Sequence, residues 1–208
     1  MLIDLKKKFP NLSKEQIEKL NKLIPLYTDW NSKVNLISRR DIDNLFTNHI
    51  LHSLAIGKII NFKDRSDVLD VGTGGGFPGI PLSILFPNVN FTLLDSIGKK
   101  IKVVDAISYN LSLKNIRTVN DRVENHFDKY DFVLSRAVSR MNKFYSMVGK
   151  NINLKSLNKL PNGIISLKGG DLENELKEFN NKKVYEISEF FHEDFFETKK
   201  IVFIPYSN

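Results

Sequence analysis

A chain of 208 residues with 41% hydrophobic side chains is long enough for one domain with an ordinary core. It has no cysteine, which excludes disulfides and thiolate zinc sites and agrees with a reducing compartment. Its formal charge of +7 favours a polyanionic partner such as RNA, a merely soluble lysine-rich surface being the plainer alternative.

The opening stretch MLIDLKKKFP has basic residues but no apolar segment after them, so no secretory leader is expected. No run approaches the ~18 apolar residues of a membrane helix, and the expected location is the cytoplasm. Residues 13–34 read as an amphipathic helix. Ser13 and Gln16 have capping-box spacing, and Ile17, Leu20, Ile24, Tyr27, Trp30 and Val34 share one face. Pro25 predicts a kink or break near Leu23. Trp30 reads as a core anchor, with base stacking as the alternative. Lys33 to Asp41 is polar and basic. Arg39 and Arg40 there are either phosphate contacts or a solvated turn, and Asp41 is a candidate helix cap. Residues 42–60 show helical spacing again, at Ile42, Leu45, Phe46, Ile50, Leu54 and Ile60. His49 and His52 lie on this stretch without a third ligand, so no metal site is expected. His49 reads either as a satisfied core histidine or as a group at the mouth of a site.

Val68-Leu69-Asp70-Val71 reads as a short buried strand. Gly72-Thr73-Gly74-Gly75-Gly76 is a sharp turn, and Gly79-Ile80-Pro81-Leu82 opens a helix that runs to about Phe86. Strand, glycine turn and helix together make a nucleotide-binding unit. The spacing is Gly-x-Gly-x-Gly. The third glycine of the dinucleotide fingerprint would fall at Phe77, which argues against a nicotinamide cofactor. Asn90 to Asp95 is the second strand, and Asp95 at its carboxyl end is placed to accept hydrogen bonds from both ribose hydroxyls. Capping of the next helix is the alternative role, one for which Ser96 is better suited. That helix, about Ile97 to Leu111, carries Lys99 and Lys100 in its first turn, where the dipole disfavours cations; an external anion and plain solvation both account for them.

Asn115 to Asn120 is the third strand and Tyr130 to Leu134 the fourth, ending in Ser135-Arg136-Ala137. An arginine at such an end needs an anion: a cofactor carboxylate, an RNA phosphate or, structurally, Asp70 or Asp131. Asn142 to Leu154 looks helical. Gly163 to Leu167 is the fifth strand and puts Lys168 at the crevice edge. Asp171 is expected to cap a helix through about Phe179. Lys183 to Glu193 and Lys199 to Tyr206 alternate as two antiparallel closing strands, with Phe190, Phe191, Phe195 and Phe196 as core packing.

The pieces WNSKVNLISRRD, HILHS, VLDVGTGGGFPGIPL, FTLLDSIGKK and DFVLSRAV resemble the bacterial small-subunit rRNA guanine-N7 methyltransferases, the glucose-inhibited division protein B family, from about residue 12 to residue 205. The resemblance implies an α/β, Rossmann-like S-adenosylmethionine-dependent methyltransferase fold: a mostly parallel seven-stranded sheet with an N-terminal helical extension over residues 1–62 and the core over 63–208. It implies S-adenosyl-L-methionine at Gly72, Gly74, Gly76, Phe77, Asp95, Val123, Glu124 and Arg136. It implies action on 16S rRNA or a small-subunit assembly intermediate, with the target guanine in a decoding-region loop; a monomer is expected, though no residue of the chain fixes that. Asn35 lies in a family motif and joins Arg39, Arg40, Lys99, Lys100, Arg140 and Lys168 as candidate RNA contacts. Many members carry an acidic residue where this chain has His52, which argues against a charge-based role there. Guanine N7 exposes a lone pair with no proton to lose, so no general base is expected. The chain also lacks the Asn-Pro-Pro-Tyr sequence of amino-group methylases. The alternatives from other classes are a small-molecule methyltransferase, a nicotinamide-dependent oxidoreductase and a non-catalytic RNA-binding protein.

Overall fold

The computed structural model describes residues 2–38, 41–136 and 139–206. Seven strands form one sheet: β1 (Asp67–Val71), β2 (Asn90–Leu94), β3 (Ile116–Val119), β4 (Phe132–Arg136), β5 (Gly163–Gly169), β6 (Lys183–Glu186) and β7 (Lys199–Pro205). Their order is β3-β2-β1-β4-β5-β7-β6, parallel from β3 through β5, with β7 antiparallel to both its neighbours. The chain winds outward from β1 to β3, then returns to the other side of β1 as β4. That reversal makes the crevice between β1 and β4 the switch point where open α/β sheets bind ligands.

The strands read as continuous apolar runs because both faces are covered. Alternate side chains serve alternate faces: Val68, Phe91, Leu93, Phe132 and Leu134 join one cluster, and Leu69, Val71, Leu94, Val133 and Ile164 the other. The first cluster also takes in Leu20, Leu23 and Tyr27 of the N-terminal helices, so that layer shares the core of the sheet.

The helices are α1 (Leu2–Lys8), α2 (Lys14–Lys33), α3 (His52–Leu54), α4 (Ile56–Ile59), α5 (Gly79–Leu85), α6 (Gly98–Asn110), α7 (Met141–Val148) and α8 (Glu173–Leu176). Ser13 caps α2 in a full capping box with Gln16, whose amide also donates to the Ile84 and Leu85 carbonyls at 2.9 and 3.0 Å. Of the kink or break expected near Leu23 the break does not occur, and α2 runs unbroken through Pro25. An interior proline costs about 3 kcal/mol, but each large apolar side chain buried returns roughly 1.5–3 kcal/mol. Ile17, Leu20, Leu23 and Tyr27 are all buried on one stripe, so packing wins.

Residues 42–60 are not the single amphipathic helix expected. A 3-10 turn (Ile42–Asn44) and a π-helical segment (Phe46–Leu51) precede α3 and α4. Every residue from His49 to Ile56 is buried, so this segment threads the interior and has no solvent face to set a helical period. Three other boundaries differ. The helix expected over 142–154 ends at Val148 and passes into a 3-10 turn (Gly149–Asn151). The helix expected to reach Phe179 is the four-residue α8; Asp171 accepts the Glu173 N–H at 2.9 Å ahead of it. The strand expected to reach Glu193 stops at Glu186, because Ile187, Phe191 and Phe196 turn into the core through 3-10 turns. Among the described residues no helix is long and apolar enough to cross a membrane.

Candidate active site

β1 ends in the glycine turn, where Gly72, Gly74 and Gly76 all take positive φ, at 66°, 59° and 96°. The Gly72 and Thr73 N–H groups donate to the Leu94 carbonyl at 2.8 and 3.0 Å, which fixes the turn against the end of β2. Beneath it, Asp70 is fully buried. Its Oδ2 accepts from the Thr73 hydroxyl at 2.6 Å and the Gly79 N–H at 2.9 Å, while Oδ1 has no partner. Burial pushes this carboxyl up to about 6, against those hydrogen bonds and the nearby charge of Arg136. A Cβ at position 79 would fall 2.8 Å from Leu93 Cγ and 2.9 Å from Asp70 Oδ2, so only glycine lets α5 start this close to the strands. From the helical layer, the buried Tyr27 hydroxyl donates to the Gly75 carbonyl at 2.5 Å, and burial raises its pKa.

Beyond the carboxyl ends of β1, β2 and β4 lies a cavity of about 470 Å³, within the size range of small-molecule sites. Gly72, Asp95, Lys100, Val123, Glu124 and Arg136 line it, together with Ile97 and Met147. The chain thus brings five of the predicted cofactor residues and one predicted RNA contact to one space. Gly74, Gly76 and Phe77 are not among its walls. Phe77 is buried, packed on Tyr27 with ring centroids 4.6 Å apart and on His49 at 5.2 Å.

Asp95 is buried at the end of β2. Its Oδ2 accepts the Gly74 N–H and its Oδ1 the Ile97 N–H, both at 2.9 Å. Each carboxylate oxygen keeps a further lone pair. Ser96 does not cap the following helix: the residue before α6 is Ile97, without a side-chain cap, and Asp95 itself holds the Ile97 N–H. Val123 and Glu124 stand on a 3-10 turn (Val123–Asn125) after β3, Val123 buried and Glu124 exposed.

Arg136 ends β4. It donates from Nη2 to His49 Nδ1 at 3.0 Å and from Nη1 to the Asn48 carbonyl at 3.5 Å, with its guanidinium carbon 5.1 Å from the Phe77 ring centroid. The ion pairs weighed for it do not form. Asp70 is turned to Thr73 and Gly79, and Asp131 accepts from the Asp67 N–H at 3.0 Å and the Asn162 amide at 3.4 Å. Among the described residues no carboxylate stands within ion-pair distance of Arg136. Burial lowers its pKa while Asp70, Tyr27 and Asp41 raise it.

The predicted RNA contacts scatter. Asn35 and Lys99 are exposed, Lys100 is half-buried at the cavity, and Arg140 is exposed just before α7. Arg39 and Arg40 lie outside the described residues. Lys168 is already engaged: its ammonium donates to Glu175 Oε1 and to the Ser139 carbonyl, both at 2.7 Å, with the side chain 11% exposed. His49 is a satisfied buried histidine, and His52 is buried edge-on to Phe195 and Phe196 with Nε2 unpartnered. Sequence reasoning missed Tyr27 and Asp41 as polar members of this region. The one available signal was a phenol on an otherwise apolar helical stripe.

The model of the family described as GidB, rRNA small subunit methyltransferase G, matches residues 16–201. A relative from Flavobacterium psychrophilum, named ribosomal RNA small subunit methyltransferase G, is 54% identical over 202 residues, covering 97% of this chain and 97% of its own. One of the same name from Christiangramia forsetii is 53% identical, covering 97% of this chain and 95% of its own. Among solved structures, a SAM-dependent methyltransferase from Aquifex aeolicus superposes with a TM-score of 0.58 at 14% identity, over 82% of this chain and 100% of that one, a likeness of fold. With a family match over most of its length and relatives above half identity, the chain belongs to the rRNA small subunit methyltransferase G (GidB) family.

Proposed function

We propose that this protein transfers a methyl group from S-adenosyl-L-methionine to N7 of a guanine in a decoding-region loop of 16S rRNA. The observation that carries the reading is the cavity of about 470 Å³, where a glycine turn, a buried carboxylate and an arginine with no anionic partner among the described residues converge. These residues fit the cofactor. Asp95 has lone pairs left for two ribose hydroxyls, Val123 and Glu124 border the adenine, and Arg136 offers its charge to the cofactor carboxylate or to an RNA phosphate. Gly72, which lines the cavity, would meet the nucleoside, while Gly74, Gly76 and Phe77 would act by shaping the turn behind it. The cofactor supplies an electrophilic methyl group on a sulfonium.

Guanine N7 attacks with a lone pair that carries no proton, so the chain need not hold a base. Its residues act by positioning and by electrostatic arrangement. Asn35, Arg39, Arg40, Lys99, Lys100 and Arg140 are the candidate contacts for 16S rRNA or an assembly intermediate, which Lys168 joins only by leaving Glu175. An unpaired base is the target, since A-form helices bury base edges in a deep groove. The protein acts as a monomer in the cytoplasm.

The test is incubation with methyl-labelled S-adenosylmethionine and 16S rRNA, free or in 30S particles, followed by nucleoside analysis. Label in 7-methylguanosine, falling steeply with salt, is expected. Label absent from the RNA, or carried equally by small acceptors without RNA, defeats the proposal.

A further inference from the structure

Arg136 is held at the cavity wall by a histidine, not by a carboxylate. A guanidinium has only donors, so the 3.0 Å contact from Arg136 Nη2 makes His49 Nδ1 an acceptor. The ring proton then sits on Nε2, which lies 2.9 Å from Asp41 Oδ2 and donates to it. Asp41 is itself fixed, because its Oδ1 accepts from the Asn48 amide at 2.6 Å. The polarity therefore runs one way, from guanidinium to imidazole to carboxylate. The π-helical segment Phe46–Leu51 carries both His49 and Asn48, the latter also offering its carbonyl to Arg136 Nη1 at 3.5 Å.

We propose that Asp41 and His49 are positioning residues for the transfer reaction: Asp41 fixes the tautomer of His49, and His49 holds the Arg136 guanidinium in place without neutralising it. The inference rests on the cavity being the cofactor site proposed above. A carboxylate set directly against Arg136 would orient it equally well but would consume its charge. An uncharged imidazole interposed between them orients the arginine and leaves its positive charge for an anion in the cavity. The surroundings keep the ring uncharged. Burial and the neighbouring arginine push His49 down to about 4, against the pull of Asp41. Phe77 closes the other side, its ring stacked 5.1 Å from the guanidinium carbon.

Two substitutions separate the two nitrogens of the ring. In His49→Asn the amide oxygen lies near the place of Nδ1 and still accepts from Arg136, but the reach to Asp41 is lost. In His49→Gln the amide nitrogen lies near the place of Nε2 and still reaches Asp41, but nothing accepts from Arg136 Nη2. The measurements are kcat and KM for labelled methyl transfer to 16S rRNA, Kd for S-adenosylhomocysteine by calorimetry, and melting temperature, all on the full chain. The expected outcome is that His49→Gln loses about ten-fold or more in kcat/KM, in the range seen when a supporting hydrogen-bond partner is removed, and His49→Asn recovers most of it at a similar melting temperature. Asp41→Asn, which frees the tautomer, should fall between the two. The proposal is overturned if His49→Gln works as well as the unaltered chain, or if the variants lose activity in step with their melting temperatures. An unaltered chain that neither binds S-adenosylhomocysteine nor methylates RNA would instead overturn the proposed function itself, and this role with it.

Discussion

Two cavities of similar size open at opposite ends of the same strands. One, of about 470 Å³, lies beyond the carboxyl ends of β1, β2 and β4. The other, of about 410 Å³, lies at the amino ends of β1, β2 and β3. At the amino ends the arginine is paired, and the lysines that line the cavity, Lys114 and Lys129, are exposed to water. Arg117 donates to Asp128 and, at 3.3 Å, to the Tyr130 hydroxyl, which also meets the His126 ring at 2.7 Å. At the carboxyl ends the balance differs: among the described residues Arg136 has no carboxylate partner, and Asp70 Oδ1 is buried alone. Volume therefore does not distinguish the two ends, whereas buried charge left without a local carboxylate does.

The largest effect that would sharpen this contrast is on Asp95. A hydrogen bond to a charged group contributes about 1.5–3 kcal/mol, and the ribose reading asks two of this carboxylate. Asp95→Ala should weaken S-adenosylhomocysteine binding on the order of 100-fold, with Asp95→Asn between. Because Asp95 also anchors the Gly74 and Ile97 N–H groups, melting curves must accompany the calorimetry. A loss below about five-fold in a folded variant would move the ribose elsewhere.

Acid should probe the same end next. Burial pushes His49 down to about 4 and His52 down to about 3, in both cases helped by Arg136. In the unfolded chain both protonate near 6.5, so stability falls as pH drops below 6.5 toward the folded values. Asp70 opposes them: raised to about 6 from 3.8, it takes its proton in the folded state first and adds stability as pH falls through that window. Two histidines against one aspartate leave the unfolded state about one proton ahead near pH 5, or on the order of 1 kcal/mol lost per pH unit. Denaturant titrations between about pH 5 and pH 7 should show stability falling toward acid, and His49→Asn should lessen that slope. An unchanged slope in the variant would mean that His49 titrates like a free histidine.

What the sequence made legible follows the same division. β1, the glycine turn, β2 and Asp95 form one unbroken stretch whose pattern is local, an apolar run closed by glycine and the next closed by an acid. The contacts that decide the charge of the site are not local. Arg136 and His49 are 87 positions apart, and the π-helical turn that joins them has no sequence period of its own. Lys168 looked like a free cation at a strand end because Glu175 is brought to it by the fold, on a helix only four residues long. The same reasoning explains Pro25: a local rule predicted a kink or a break, and a buried stripe kept the helix continuous.

Tyr27 tests whether the helical layer matters to the turn. Tyr27→Phe removes only the hydroxyl that donates to the Gly75 carbonyl. The expected cost is about 1 kcal/mol of stability by denaturant titration, and a small loss of cofactor affinity as the turn loosens. If stability falls and S-adenosylhomocysteine binding is unchanged, the glycine turn holds its shape without the helical layer.

The smallest effect belongs to the other cavity, and it decides whether the comparison is sound. The side chains of Arg117 and Asp128 are each 57% exposed, so water already solvates both charges and salt screens what attraction remains. The arginine holds the carboxyl of Asp128 below its usual range, the mark of a closed pair with no charge to offer a ligand. Arg117→Ala should therefore leave methyl transfer and S-adenosylhomocysteine binding unchanged within two-fold, at every salt concentration where the unaltered chain is active. A specific loss of rRNA methylation with normal cofactor binding would show that RNA reaches the amino ends of the strands. In that event a pair satisfied at rest would have to open on binding, and unspent charge in the free protein would no longer mark where its ligands go.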